Sequence, residues 1–187
     1  MKKPAGYDEA ETYTGEYEGP GPLPAGLYVC QIKGATTETI KGKEYLVIAF
    51  DIIDGDYAGY YQAAYNMDTR DNKKWKGVHR QGTEGSSLPF FKGLIASIEK
   101  SNPGYTWNWD ENTLKGKKFG AVMGREEFLT QDGQKKMATK IRNIRSIEGL
   151  KNATIPEDKL LPDNTAGYPD MPPTGPAPTD ADAPFGW

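Results

Sequence analysis

Eighteen residues near the middle of the chain, YNMDTRDNKKWKGVHRQG from Tyr65 to Gly82, concentrate two kinds of side chain. Arg70, Lys73, Lys74, Lys76 and Arg80 are cationic, and Tyr65 and Trp75 are large aromatics set among them. Cations neutralise phosphates and release the counterions condensed on them. Aromatic rings stack on unpaired bases, at ~1–3 kcal/mol per base. A duplex hides its base faces, so this mixture suits a single nucleic-acid strand better than a double one. The plain alternative is an exposed loop with one Trp packed against the body; the place of Trp75 inside the basic run favours binding.

Two further segments carry the same chemistry in weaker form. GREEFLTQDGQKK, Gly124 to Lys136, holds Arg125, Phe128, Lys135 and Lys136. Glu126 and Glu127 work against an anion there, and Phe128 suits a core as well as it suits a base. Lys41 and Lys43 flank Gly42 and read as a basic hairpin tip. Tyr61 joins Tyr65 as a candidate stacking residue. In TWNWDENTLKGKKFG, Trp107 and Trp109 share a face if the segment is extended, and aromatics at that spacing more often pack than present a platform. At least one is expected over the end of the domain, with Lys115, Lys117 and Lys118 adding to the basic field.

Catalytic patterns are missing. The chain has one His, His79, and one Cys, Cys30, far apart in sequence. It has no CxxC, HExxH, Walker glycine loop or GxSxG. Asp54-Gly55-Asp56 reads as a turn, not a calcium loop, and His79 as a loop residue near phosphate or solvent. The reading is of a protein that is not an enzyme and calls for no cofactor or metal.

The elements that must position these residues follow from hydrophobic period. Leu27–Lys33 and Tyr45–Ile53 alternate as strands, with Leu46, Ile48, Phe50 and Ile52 on one face. Tyr60–Met67 reads as a third strand. Leu88–Lys100 changes period: Phe91, Leu94, Ile95 and Ile98 fall on one helical stripe. Ser87 is its candidate N-cap, Pro89 lies in its first turn, and Asn102-Pro103-Gly104 stops it. Lys117–Phe128 and Lys136–Ile147 are two more strands, joined by a hairpin turn at Asp132-Gly133. Ile144 falls off the parity of Ile141 and Ile147, which predicts a bulge or twist. The fold class is mainly β. Five strands with one helix between the third and fourth is the order of a five-stranded Greek-key barrel of the OB type.

The ends differ from the middle. Residues 1–22 are polar, finish on Gly19-Pro20-Gly21-Pro22, and read as a flexible arm. Residues 23–155 form the domain. Residues 156–187 are rich in Pro, Asp, Thr and Ala and read as a disordered acidic tail, yet they include Phe185 and Trp187. Residues 1–20 carry two lysines against five acids, and 156–187 one lysine against six, so the body is net basic although the chain is −3. A basic body with acidic ends suggests a polyanion ligand and a tail that competes with it. With a single Cys, no internal disulfide forms. The first residues lack the apolar core of a signal peptide, and no window reaches the ~18 apolar residues of a membrane span. A cytoplasmic location is expected.

DTRDNKKWKGVHRQ, SLPFFKGLI, LKGKKFGAVMGREEF and the closing IRSIEGL resemble single-stranded DNA-binding proteins, in particular the small ones of phages and prophages of Gram-positive bacteria. The resemblance covers about residues 23–150 and the tail. It implies an OB-fold that coats single-stranded DNA in the cytoplasm of a bacterial host, during phage-type replication and recombination. It also implies an acidic C-terminal tail that recruits replication and recombination proteins and competes with DNA for the basic groove. Asp180, Asp182, Pro184, Phe185 and Trp187 would be that docking peptide, and deleting 156–187 should tighten DNA binding. In bacterial tails of this kind a dense aspartate run ends on Pro-Phe; here Gly186-Trp187 follows Phe185. The resemblance leaves room for a homo-oligomer. The alternative function is a protein-interaction module on the same kind of barrel, without DNA binding.

Overall fold

The computed structural model describes residues 20–130 and 132–162. The docking residues Asp180, Asp182, Pro184, Phe185 and Trp187 lie outside them. Five strands make one antiparallel sheet in the order β3-β2-β1-β4-β5. They are β1 (Gly26–Ile40), β2 (Lys43–Ile52), β3 (Val78–Gly82), β4 (Lys118–Leu129) and β5 (Lys135–Arg145). Helix α1 (Tyr60–Met67) joins β2 to β3, and α2 (Leu88–Ser101) joins β3 to β4. Among the described residues no ladder joins β3 to β5, so the sheet is open between its two edge strands. Helix α2 packs against β3, β4 and β5.

The core lies on one face of the sheet. Cross-strand partners point to the same side, and the register puts Cys30 between Ile52 and Phe119, and Ile32 beside Phe50. Phe91, Leu94 and Ile98 of α2 pack into this cluster, as the helical stripe predicts. A short 3₁₀ turn, Gly85–Ser87, leads into α2; the Ser87 side chain makes no capping bond, contrary to expectation. Asn102 closes the helix. Its amide nitrogen donates to the Ile98 and Lys118 carbonyls at 2.7 and 2.8 Å, and its oxygen accepts from Lys118 N at 3.0 Å. One side chain thus stops α2 and ties it to β4.

The predicted bulge near Ile144 is present. Ile144 pairs with Ala121 and Ile141 with Met123, with the register shift between Val122 and Met123. The extra residue lets both isoleucines pack against the core. A second bulge, in β1 between Ile32 and Gly34, leaves Lys33 without a Cα partner on β2.

The third strand departs from expectation. Tyr60–Met67 is helix α1, and β3 is Val78–Gly82. Gly59 enters α1 at φ 75°, a left-handed turn that suits glycine. The buried carboxylate of Asp51 on β2 then receives the orphan amides: Oδ1 accepts from Tyr61 N at 3.0 Å and Oδ2 from Gln62 N at 3.1 Å. It also accepts from Ile52 N at 2.9 Å. The aromatic-rich octet is therefore helical because a carboxylate on a neighbouring strand satisfies its first turn. Asp51→Asn keeps the shape but halves the acceptors, and should lower stability by about 1–2 kcal/mol in urea unfolding. An unchanged urea midpoint would show that α1 does not depend on this cap.

The chain beyond the sheet does not leave at once. Lys159 bridges β4 in parallel at Glu126, with Glu127 N donating to Lys159 O at 2.8 Å and Lys159 N to Arg125 O at 3.0 Å. Leu161 N donates to the Glu127 carboxylate at 2.9 Å. Residues 156–162, read from sequence as the start of the tail, thus cover the outer edge of β4, which would otherwise expose unpaired backbone. No described helix is long and apolar enough to cross a membrane.

Candidate nucleic-acid interface

The basic segment of the first motif leads into β3 along the edge of β2, held there by its aromatic. Trp75 is 5 % exposed, and its indole N–H donates to the Phe50 carbonyl at 3.1 Å. Two residues on, Gly77 sits where a Cβ would lie 2.3 Å from Phe50 O, so only glycine allows the approach. Trp75 is a core residue, not the open stacking face expected from its place among cations. The same correction applies to Tyr61, which is buried and makes T-shaped ring contacts with Phe50 and Tyr60 at 5.3 and 5.2 Å. Burial pushes its hydroxyl pKa up. The signal for Trp75 was ambiguous because an aromatic in a basic run serves equally as the pin under a loop.

Pinning Trp75 settles the rest of the loop. Lys76 is exposed and Lys73 is half-buried. The Lys73 ammonium lies 4.6 Å from the centroid of the Tyr65 ring, a cation–π contact. Tyr65 is half-buried and packs on Trp75 with ring centroids 5.8 Å apart. Arg70 folds back on Asp68, with Nε and Nη2 at 2.8 and 2.5 Å, and these bonds hold the Asp68 carboxyl well below the usual carboxylate range. Lys74 is half-buried in the same loop. Arg80 lies on β3 opposite Val47, within 3.5 Å of Glu38.

The other two basic groups sit on other connections of the sheet. Lys41, at φ 52°, and Lys43 form the exposed β1–β2 tip. In the β4–β5 hairpin, Phe128 lies across from Lys136 and is half-buried. Two of its candidate cations, Arg125 and Lys135, are engaged by acids. Arg125 makes a two-pronged bond to Asp158, Lys135 lies 3.5 Å from Glu127, and Glu126 takes Lys159 at 2.7 Å and Arg142 at 3.6 Å. The bond from Lys159 lowers the Glu126 pKa, and Asp158 raises that of Arg125. This hairpin is closer to charge-neutral than its cations alone suggest.

His79 is not a loop residue. It lies on β3 opposite Ile48, whose side chain is in the core. Its Nε2 is the one buried side-chain polar atom without a hydrogen-bond partner among the described residues. Burial pushes its pKa down to about 4, against a bond with the Gln81 side chain that favours the proton. Cys30 is fully buried, and burial holds its thiol protonated. Trp107 stacks edge-on against Phe91 of α2 at 5.8 Å, while Trp109 is 77 % exposed at φ 70°.

Beside the basic loop is a cavity of about 210 Å³ lined by Lys33, Gln62, Tyr65, Trp75 and Lys115. Lys33 carried no local signal, because an isolated lysine at a strand end is ordinary. Lys115 counted only as part of a general basic field. The pairing of Ile32 with the 116–117 backbone brings them to one site: Gly116 N donates to Ile32 O and Ile32 N to Lys117 O, both at 2.8 Å.

No family model and no curated protein sequence matches this chain.

Proposed function

We propose that the protein binds and coats single-stranded DNA with little sequence preference, in replication or recombination of the phage type. The strand order β3-β2-β1-β4-β5 is compatible with an OB barrel whose β3–β5 seam is unpaired. A single observation carries the reading. The loop from Asp68 to Gly77 is anchored by a buried Trp75 while half-buried Lys73 lies over the half-buried Tyr65 ring of α1, beside Lys74 and the exposed Lys76. Fixed cations next to an aromatic ring are what a flexible strand needs, since phosphates and bases are then met together. The remaining stacking candidates are Tyr65 and Phe128, and the phosphate candidates are the lysines and arginines of the loop and of the β1–β2 tip. The tail from Asp163 onward holds four aspartates and no lysine or arginine, so it is suited to compete for the same cations.

Fluorescence anisotropy of a labelled ~30-nucleotide strand, at two salt concentrations and against a duplex, tests the reading. Single-strand binding that weakens steeply with salt, and exceeds duplex binding, is the expected result. Deleting residues 163–187 should tighten it several-fold at low salt. The deletion starts at 163 because 156–162 is bonded to β4. No strand binding by the full chain or the deletion would leave the interaction-module reading.

A further inference from the structure

Strand β5 ends the sheet with one side uncovered. It pairs with β4 from Lys135 to Arg145, and among the described residues nothing pairs with its other edge. At 11 residues it is a long edge, and a long edge offers a row of unpaired N–H and C=O groups to another strand. Its two faces differ. Met137, Thr139, Ile141 and Ile144 lie on the core side, across from Glu127, Arg125, Met123 and Ala121. Met137 is 39 % exposed and both isoleucines are half-buried, so this side has apolar surface left to cover. The bulge at Arg142 puts Lys136, Lys140 and Arg145 together on the opposite face, across from Phe128, Gly124 and Gly120. All three are exposed, and β5 contains no Asp or Glu. Lys136 and Arg145 have no ion pair among the described residues. Lys140 lies near Glu126, whose carboxylate is already held by Lys159 at 2.7 Å.

The chain that leads into the sheet is tied to this strand. The Thr139 hydroxyl donates to the Leu23 carbonyl, Leu23 N donates to the Tyr60 hydroxyl at 3.2 Å, and that hydroxyl donates to Gly21 O at 3.1 Å. Glu18 is five residues before Leu23, so it lies within about 18 Å of that anchor. The stretch it closes, TYTGEYE from Thr12 to Glu18, alternates: Tyr13 and Tyr17 have one parity, Glu16 and Glu18 the other. Thr and Tyr favour strands, and the stretch has no proline. Its parities match the faces of β5, rings for the apolar side and carboxylates for the basic side. Other occupants fit less well. Residues 163–187 are also acidic, but Pro169, Pro172, Pro173, Pro176, Pro178 and Pro184 cannot donate to a ladder. The β5 of a second copy would set cation against cation. The molecule already covers one bare edge with its own chain, where Lys159 lies along β4 beyond the end of the β1 ladder.

We propose that residues 12–18 of the same chain add to the free edge of β5 as a further strand, with Tyr13 and Tyr17 on the side of Met137 and Ile141 and with Glu16 and Glu18 on the side of Lys136, Lys140 and Arg145. The pairing closes an edge that β5 would otherwise offer to strands of other molecules, and it neutralises part of a basic face. The short tether keeps the segment at high effective concentration beside β5, so a modest pairing energy is enough. The inference does not depend on DNA binding.

Amide hydrogen exchange followed by mass spectrometry tests this, read on β5 and, as a control, on β2, in the full chain, in a deletion of residues 2–18 and in charge variants. The deletion keeps Gly21 and Leu23, and with them the anchor. Without the segment β5 should exchange about tenfold faster while β2 is unchanged. Glu16→Lys/Glu18→Lys, which removes no residue, should speed β5 exchange about threefold. Adding Lys136→Glu/Lys140→Glu to that variant should restore most of the protection, since the two sides have then exchanged charges. Equal β5 exchange with and without residues 2–18 overturns the proposal, as does a combined charge reversal that restores nothing. Protection of β5 that grows with protein concentration would place the segment on a second copy and overturn the pairing within one chain. Protection that survives the 2–18 deletion and is lost on deleting 163–187 would make the acidic C-terminal segment the occupant, and overturns it too.

Discussion

Trp75→Ala should remove about 3–5 kcal/mol of stability, the cost of deleting a large buried aromatic. Small domains have about 5–15 kcal/mol in total, so the variant should be largely unfolded at moderate urea. The loss has three sources. The indole is almost fully buried and belongs to the main core cluster. Its N–H satisfies Phe50 O, which would be left without that partner. It also pins the loop whose Gly77 carbonyl accepts from Phe50 N at 2.8 Å, so the edge of β2 loosens with it. Trp75→Phe keeps most of the apolar area and loses the bond, and should cost about 1–3 kcal/mol. Urea unfolding of both variants, alongside strand affinity of Trp75→Phe, separates packing from stacking. If Trp75→Ala leaves the urea midpoint in place and weakens only strand binding, the ring is an exposed platform after all.

Acid should destabilise this protein through His79. His79 is the only histidine, so its titration can be removed cleanly. In the unfolded chain an imidazole takes a proton near pH 6.5. In the folded protein burial holds the His79 pKa down to about 4. The folded state therefore binds fewer protons between these values. The stability from keeping His79 neutral is complete above pH 6.5, falls as pH drops through the window, and is gone below about 4. The loss should reach about 3 kcal/mol at pH 4. Urea midpoints of the wild type and of His79→Leu, followed from pH 7 to 4, check this. The two curves should diverge below pH 6.5; parallel curves would mean that the imidazole protonates in place without cost.

Both predictions come from residues whose side chains are polar or amphipathic and whose positions look superficial in the sequence. Trp75 stands among five lysines and arginines, and His79 precedes Arg80. Local composition describes neighbours along the chain, whereas burial depends on neighbours across the sheet. His79 faces the core because its Cα pairs with Ile48, and nothing within a few residues of it encodes that register.

Much of the framework was legible from period alone. β2, α2, β4 and β5 lie where alternation or the helical stripe put them, within a few residues. The bulge at Ile144 was readable too, because Ile141 and Ile144 have opposite parity and can face one core only if the strand gains a residue between them. Tyr60–Met67 was not. Its tyrosines favour a strand, but its alanines permit a helix, and the choice falls to Asp51, nine residues before Tyr60 and on another element. A capping carboxylate supplied through space leaves no trace in the octet itself.

The same division holds for the candidate site. Residue types and spacing alone determined that the 65–82 segment carries a mixture of cations and aromatic rings, and that the body is basic between acidic ends. Tertiary structure decided which rings are available and which cations are already matched, as in the Arg125–Asp158 and Lys135–Glu127 pairs. It also assembled Lys33 and Lys115 around one cavity, from positions eighty-two residues apart. The physical reason is that charge and aromaticity belong to the residue, whereas exposure and proximity belong to the register of the sheet, and long-range pairing sets that register.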